Sequence, residues 1–344
     1  MAGRTLCTGH GFQGSLSFPK LGRRVATKCQ TSSSRARSDD SVAAVLDVSR
    51  RVTLALPLLS LWDLPSVATE LSTYRRVVVT PEIAPDQSKY DPADPDLRAA
   101  ARLLQDALGA QDVQREEKLW TEIIQKYGDM DKNWVPDLVG RAWGNRGNAR
   151  SRMGKLDEAL LDYNTSIDIC PWSVDPVLNR GVVLEALGRF DDAVADYEAV
   201  LAVNRKDPGA WNNLGNAYAG MGKYEEAAEY YGRAAGLAPE FAFAKANRSV
   251  ALFELGREKE AVRNFRTLLR RYPEFPDVRA ALVAALWKMG MEGEAETEWL
   301  RVEDPRYKDR NWLQNERRWP PSLVNSLDDF LNLRDPNLRV AVGK

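Results

Sequence analysis

Histidine is almost missing from this chain: among 344 residues the only imidazole is His10. It sits in an N-terminal stretch whose composition reads as a removable address. A mature protein without histidine has no imidazole for general base, proton shuttle or metal ligand, which removes the commonest catalytic designs. Cysteine is scarce as well. Cys7 and Cys29 fall in the same stretch, leaving Cys170 as a lone thiol that cannot close an intramolecular disulfide. No phosphate-binding glycine loop, metal-spaced cysteine set or nucleophile motif occurs. The expectation is therefore a non-enzyme with no catalytic residue, cofactor, metal or small-molecule substrate. Long hydrophobic runs are also lacking. The run from Val52 to Trp62 is broken by Pro57 and followed by Asp63, and it is shorter than the roughly 18 apolar residues that span a bilayer. With 44% hydrophobic and 28% charged residues and a net charge of -1, the composition is that of a soluble folded protein.

The N-terminus is rich in one sign of charge. Residues 1–38 hold seven Lys or Arg, a Ser/Thr-rich stretch and no acid, the composition of an organelle transit peptide; the hydroxyl content and weak amphipathic pattern resemble a plastid signal. In residues 39–68, Ser49-Arg50-Arg51 precedes the apolar run, and Ser66 and Ala68 follow at the spacing of a cleavage site. This resembles a twin-arginine signal. A two-part address of this kind resembles that of thylakoid-lumen proteins, so the expected location is chloroplast lumen, with stroma as the alternative. Residues 69–96 read as an extended linker. Loss of residues 1–68 removes nine basic and four acidic residues and leaves a net charge of -6, which disfavours a nucleic-acid partner. The processed chain is not expected to be an integral membrane protein, and a peripheral thylakoid association stays open.

The rest of the chain repeats itself. A 34-residue register starts at Gly140 and gives units 140–173, 174–207, 208–241, 242–275 and 276–307. Position 15 is always glycine (Gly154, Gly188, Gly222, Gly256, Gly290) and position 20 always alanine (Ala159, Ala193, Ala227, Ala261, Ala295). Position 24 is a large aromatic (Tyr163, Tyr197, Tyr231, Phe265, Trp299). Small residues at position 8 (Gly147, Gly181, Gly215, Ser249) let two helix backbones approach, and the position-15 glycine permits the positive φ that ends the first helix. The third unit, with Trp211, Leu214, Gly215, Tyr218, Gly222, Ala227, Tyr231, Ala234 and Pro239, carries the pattern most completely.

These residues resemble the tetratricopeptide-repeat (TPR) family. The resemblance implies an all-α solenoid of helical hairpins wound as a right-handed superhelix, with helix A of each unit lining a concave side. The fifth unit departs from the pattern with Arg279 at position 4 and Val283 at position 8. Helical caps are expected at both ends. Residues 97–139 contain two amphipathic stretches, 97–108 and 113–127. The tail 308–344 carries a helix at about 322–333 with Leu323, Val324, Leu327, Phe330 and Leu331 on one face.

A binding groove is expected on helix A. Asn145, Asn179, Asn213 and Asn247 recur at position 6, joined by Asn148 and Asn216 at position 9. An amide both donates and accepts, so a ladder of them reads an extended chain without demanding a sequence. Asparagine at position 6 also recurs in ordinary repeats of this type, where it serves packing. Leu178, Val182, Phe243, Val250, Phe253 and Trp287 add apolar surface toward the C-terminal end, and Arg141 and Arg152 add charge at the N-terminal end. The carboxylate-clamp pattern of chaperone-tail receptors is incomplete, because Gly144 occupies a clamp lysine position. Four rungs give about 2–6 kcal/mol where micromolar binding needs about 8, so apolar contacts must contribute. The implied function is a scaffold that holds a protein or extended peptide segment during biogenesis or maintenance of a thylakoid complex. The alternative is an organellar RNA-binding helical-repeat regulator, which the acidic mature charge disfavours.

Overall fold

A computed structural model describes residues 74–334. The transit-peptide reading of 1–38 and the twin-arginine-like reading of 39–68 lie outside the described residues. Within them every regular element is helical, and no helix is long and apolar enough to cross a membrane. The chain forms two compact units that divide at Leu187 and Gly188.

The N-terminal unit contains α1 (Pro95–Gly109), α2 (Val113–Tyr127), α3 (Val135–Arg152), α4 (Leu156–Ile169) and α5 (Asp175–Ala186), each packed on the next. Asp94 starts α1 by accepting from the Asp96 amide at 2.9 Å, and Asp112 starts α2 by accepting from the Arg115 amide at 2.8 Å. These helices bury Leu97, Leu104, Trp120 and Ile123 against Leu138 and Ala142 of α3, so the expected N-terminal cap is present. The described part of the expected linker is fastened down. The Thr80 amide donates to the Pro171 carbonyl at 2.9 Å, Gln87 Nε2 donates to Asp137 Oδ2 at 3.2 Å, and Val79 and Tyr90 are buried. Residues 74–94 therefore form a strap across the unit.

The C-terminal unit contains α6 (Phe190–Val203), α7 (Pro208–Gly220), α8 (Tyr224–Leu237), α9 (Ala242–Glu254), α10 (Glu258–Arg271), α11 (Pro276–Lys288), α12 (Glu292–Trp299) and α13 (Pro321–Arg334). From α6 to α12 each helix packs on its successor. The hairpin turns follow one design. All five position-15 glycines have φ between 70° and 78°; at Gly222 the Lys223 amide donates to the Tyr218 carbonyl and the Gly222 amide to that of Ala219, both at 2.9 Å. Close helix approach is equally direct: a Cβ added at Gly215 would stand 2.7 Å from the Tyr231 ring, and one at Gly147 2.8 Å from that of Tyr163.

Position 4 corrects one reading of the sequence. Trp211 Nε1 donates to the Arg205 carbonyl at 2.8 Å, Lys245 Nζ to that of Pro239 at 2.6 Å, and Arg279 Nη2 to that of Pro273 at 2.7 Å. Each donor reaches back six residues to close the turn leading into its helix. Arg279 thus performs the task of the signature tryptophan, and its departure from pattern is not degeneracy.

The tail folds onto the last repeat. Leu323, Val324, Leu327 and Phe330 of α13 are fully buried, while Leu331 is half-buried. α13 packs along α11 and touches α9, both of them helix A of their repeats. Arg317 and Asp277 form a fully buried ion pair, the Ser326 hydroxyl donates to the Ala284 carbonyl at 2.6 Å, and Phe330 meets Trp287 and Trp299 edge-on at 5.6 and 5.7 Å. α11 is consequently enclosed on every side from Ala280 to Leu286.

Candidate functional site

The position-6 asparagines do not form four equivalent rungs. In the N-terminal unit Asn148 is a node: its Oδ1 accepts from the Tyr163 hydroxyl at 2.8 Å and from Asn179 Nδ2 at 2.9 Å. Its Nδ2 donates to Asn145 Oδ1 at 3.4 Å, and Asn145 Nδ2 donates to the Arg141 carbonyl at 2.9 Å. The C-terminal unit repeats the node at Asn216. There Oδ1 accepts from the Tyr231 hydroxyl at 2.9 Å and from Asn247 Nδ2 at 3.4 Å, and Asn247 Nδ2 also reaches Asn212 Oδ1 at 3.2 Å. A buried amide that satisfies a buried tyrosine hydroxyl is doing structural work. Asn145, Asn148, Asn179, Asn216 and Asn247 thus spend amide groups inside the protein.

Asn213 is different. Its side chain makes no hydrogen bond to any of the described residues, although only 4% of the residue is exposed. Asn179 and Asn247 each find a position-9 asparagine, Asn148 and Asn216, on the preceding repeat of the same compact unit.

The apolar candidates divide by burial. Leu178 and Phe253 are buried, whereas Val182, Phe243 and Val250 keep part of their surface. Phe243 is held edge-on by Phe275 at 5.4 Å and lies 6.4 Å from Phe241. At the C-terminal end the expected greasy surface is closed by the chain itself, since Trp287 packs on Phe330 of α13. Glu254 was not foreseen. Its Oε1 accepts from the Leu323 amide at 3.1 Å, which caps α13 from the end of α9, and burial raises its carboxyl above the ordinary range. A carboxylate at the C-terminal end of its own helix opposes that helix's dipole, which was the available hint.

Charge on helix A of the first unit is tied up internally. Arg141 Nε donates to Asp137 Oδ1 at 2.9 Å, and Arg152 Nη2 to Glu116 Oε2 at 2.5 Å. Arg146 forks onto Asp162 at 2.9 and 2.8 Å, where Arg150 joins at 3.0 Å. Cys170 is buried, and desolvation pushes its thiol up to about 12, so no thiolate nucleophile is available near neutral pH. Among the described residues no group of His, Cys, Asp and Glu is placed to hold a metal.

Comparison with known proteins gives one consistent motif. Tetratricopeptide-repeat models match residues 140–171, 178–240 and 214–274. No curated protein matches the chain. A tetratricopeptide repeat protein from Parabacteroides merdae is similar in structure, with 17% identity and a TM-score of 0.53 over 71% of this chain and 97% of that one. The Cut9-Hcn1 hetero-tetramer of the APC/C gives 16% identity and a TM-score of 0.52 over 70% of this chain and 43% of that one. MamA from Desulfovibrio magneticus RS-1 follows at 18% identity and 0.45, over 52% and 96%. At these identities the likeness is one of fold.

Proposed function

Since the chain carries tetratricopeptide repeats at residues 140–171 and 178–274, we propose that it is a non-catalytic scaffold holding a polypeptide segment against helix A of its repeats. The observation that carries this reading is Asn213. An amide set almost flush in a helical face, with no partner of its own, is ready to donate to and accept from a peptide backbone. Half-buried Phe243 and Val250 follow on α9 of the same unit and supply apolar contact. The charges of helix A in the first unit are already paired, which there favours an uncharged main-chain segment over a terminal carboxylate.

Magnitudes limit the affinity. One amide contributes about 0.5–1.5 kcal/mol, and completing the burial of two half-covered side chains adds about 2 kcal/mol. That total falls short of the roughly 4 kcal/mol that even millimolar binding needs. A physiological partner must therefore run past more than one repeat. Isothermal titration of the full chain with peptides from a co-purified partner tests this. Asn213→Ala weakens binding about fivefold at unchanged melting temperature, whereas Asn216→Ala lowers the melting temperature because it orphans the Tyr231 hydroxyl. Equal peptide affinity for wild type and Asn213→Ala rejects the site.

We further propose that the scaffold serves biogenesis or maintenance of a thylakoid protein complex, a reading supported by the two-part N-terminal address. Fractionation of plastids with a tagged full chain tests it: lumenal recovery supports the reading, and stromal recovery overturns the lumen while leaving the scaffold intact.

A further inference from the structure

The outer face of α10 carries a charge pattern that no other repeat shares. Lys259, Arg263, Arg266 and Arg270 stand at repeat positions 18, 22, 25 and 29. This spacing sets four side chains in a line along one helix face, with neighbours about 5–6 Å apart. All four are exposed, and Arg271 extends the stripe at its end. The helix turns its other face inward through Ala261, Val262, Phe265, Leu268 and Leu269, so the fold needs none of these cations.

The remaining repeats act as an internal control. At the same four positions the first unit has Asp157, Leu161, Asn164 and Asp168, and the second has Asp191, Ala195, Glu198 and Ala202. The third has Glu225, Glu229, Gly232 and Gly236, and the fifth has Gly293, Thr297, Leu300 and Asp304. None is basic. A hairpin of this design is built five times, and only in the fourth are these four positions basic. Internal carboxylates neutralise little of the stripe: Glu294 pairs with Arg266, and Glu260 is engaged by Arg257, which precedes the helix. Among the described residues Lys259, Arg263 and Arg270 have no carboxylate partner.

We propose that the outer face of α10 is a docking surface for an anionic lipid membrane. Arginine matches phosphate oxygens through its planar fork, and three of the four cations are arginine. Beside them on the helix lie Glu260, Asn264 and Thr267. The four stripe positions carry no aromatic side chain, and the half-buried Tyr272 beyond their end is one ring, covered by the Arg271 guanidinium at 5.5 Å, not the series on which successive bases of a single strand stack. It also exposes no large apolar side chain to form the dry centre of a protein interface. What remains is attraction to a plane of mobile phosphates, worth a similar increment for each cation near the surface and screened within about 10 Å at moderate salt.

Flotation of the full chain with vesicles tests the proposal. One set contains phosphatidylcholine alone, and the other includes about one-third phosphatidylglycerol. The Arg263→Glu/Arg270→Glu variant is compared with Arg115→Glu/Lys118→Glu, which makes the same charge change at exposed positions of α2. The expected result is binding to the anionic vesicles alone, weakened by added salt, and lost at least about tenfold in the α10 variant but not in the α2 variant. Equal loss in both variants, or loss in neither, overturns the proposal. So does tighter stripe-dependent binding to a single-stranded RNA oligonucleotide than to the vesicles. Circular dichroism of both variants guards against unfolding as the cause.

Discussion

At the residue scale two kinds of glycine have different jobs, and substitution separates them. Gly215→Ala drives a methyl into the Tyr231 ring and costs about 1–3 kcal/mol. Gly222→Ala meets nothing within 4 Å and costs about 1–2 kcal/mol through its positive φ alone. Gly222→Asn should recover part of that loss, because asparagine tolerates the left-handed region, while Gly215→Asn should be worse than Gly215→Ala. Chemical denaturation of the four variants checks the ranking. These glycines were legible in the sequence because the turn and the helix contact each demand one at a fixed position. The fate of each asparagine was not. Asn179 and Asn213 are identical by position, yet Asn179 donates to Asn148 while the Asn213 side chain bonds to none of the described residues. Cys170 gives a further test. Its folded thiol lies near 12 against an ordinary 9.0, so between those values the unfolded chain releases a proton that the folded chain retains. Stability should fall as pH rises above about 9, and Cys170→Ala should reduce that fall.

At the element scale the periodicity of the sequence located nearly every helix but not what each one covers. The expected tail helix at about 322–333 is observed at Pro321–Arg334, and four of its five expected apolar residues are fully buried. Its seat along α11 and against α9 depends on Glu254, Asp277, Arg317 and Trp287, which are scattered over the chain and share no period. Phe330→Ala should cost about 3–5 kcal/mol, because it empties the space between Trp287 and Trp299. Glu254→Gln should be near neutral or slightly stabilising, because burial already disfavours the ionised carboxyl and an amide oxygen can still accept from the Leu323 amide. Urea unfolding monitored by tryptophan fluorescence reads both. At the other end, Asp94 caps α1 and accepts from Lys132 Nζ at 2.9 Å and from Trp134 Nε1 at 3.0 Å. Lys132 leads these contacts in holding its carboxyl down to about 2 from an ordinary 3.8. Its contribution is complete above about pH 4 and is lost as pH falls through about 2. Asp94→Asn should lower stability at neutral pH and flatten the acid limb of the profile.

At the scale of the whole molecule, repetition explains both the fold and the functional reading. One hairpin cannot bury two faces, so neighbours complete each other, and the ends need the strap, α1, α2 and the folded tail. The central claim is that helix A of the repeats, at Asn213 above all, is where a polypeptide rests. The most direct measurement places a photoreactive side chain in the full chain at Asn213 and, in a separate preparation, at Thr297 on α12. Each preparation is then irradiated with a labelled extended peptide taken from a co-purified partner. The account predicts a covalent adduct from position 213, suppressed by unlabelled peptide, and none from position 297; adducts from 297 alone, or equal adducts from both, would contradict it.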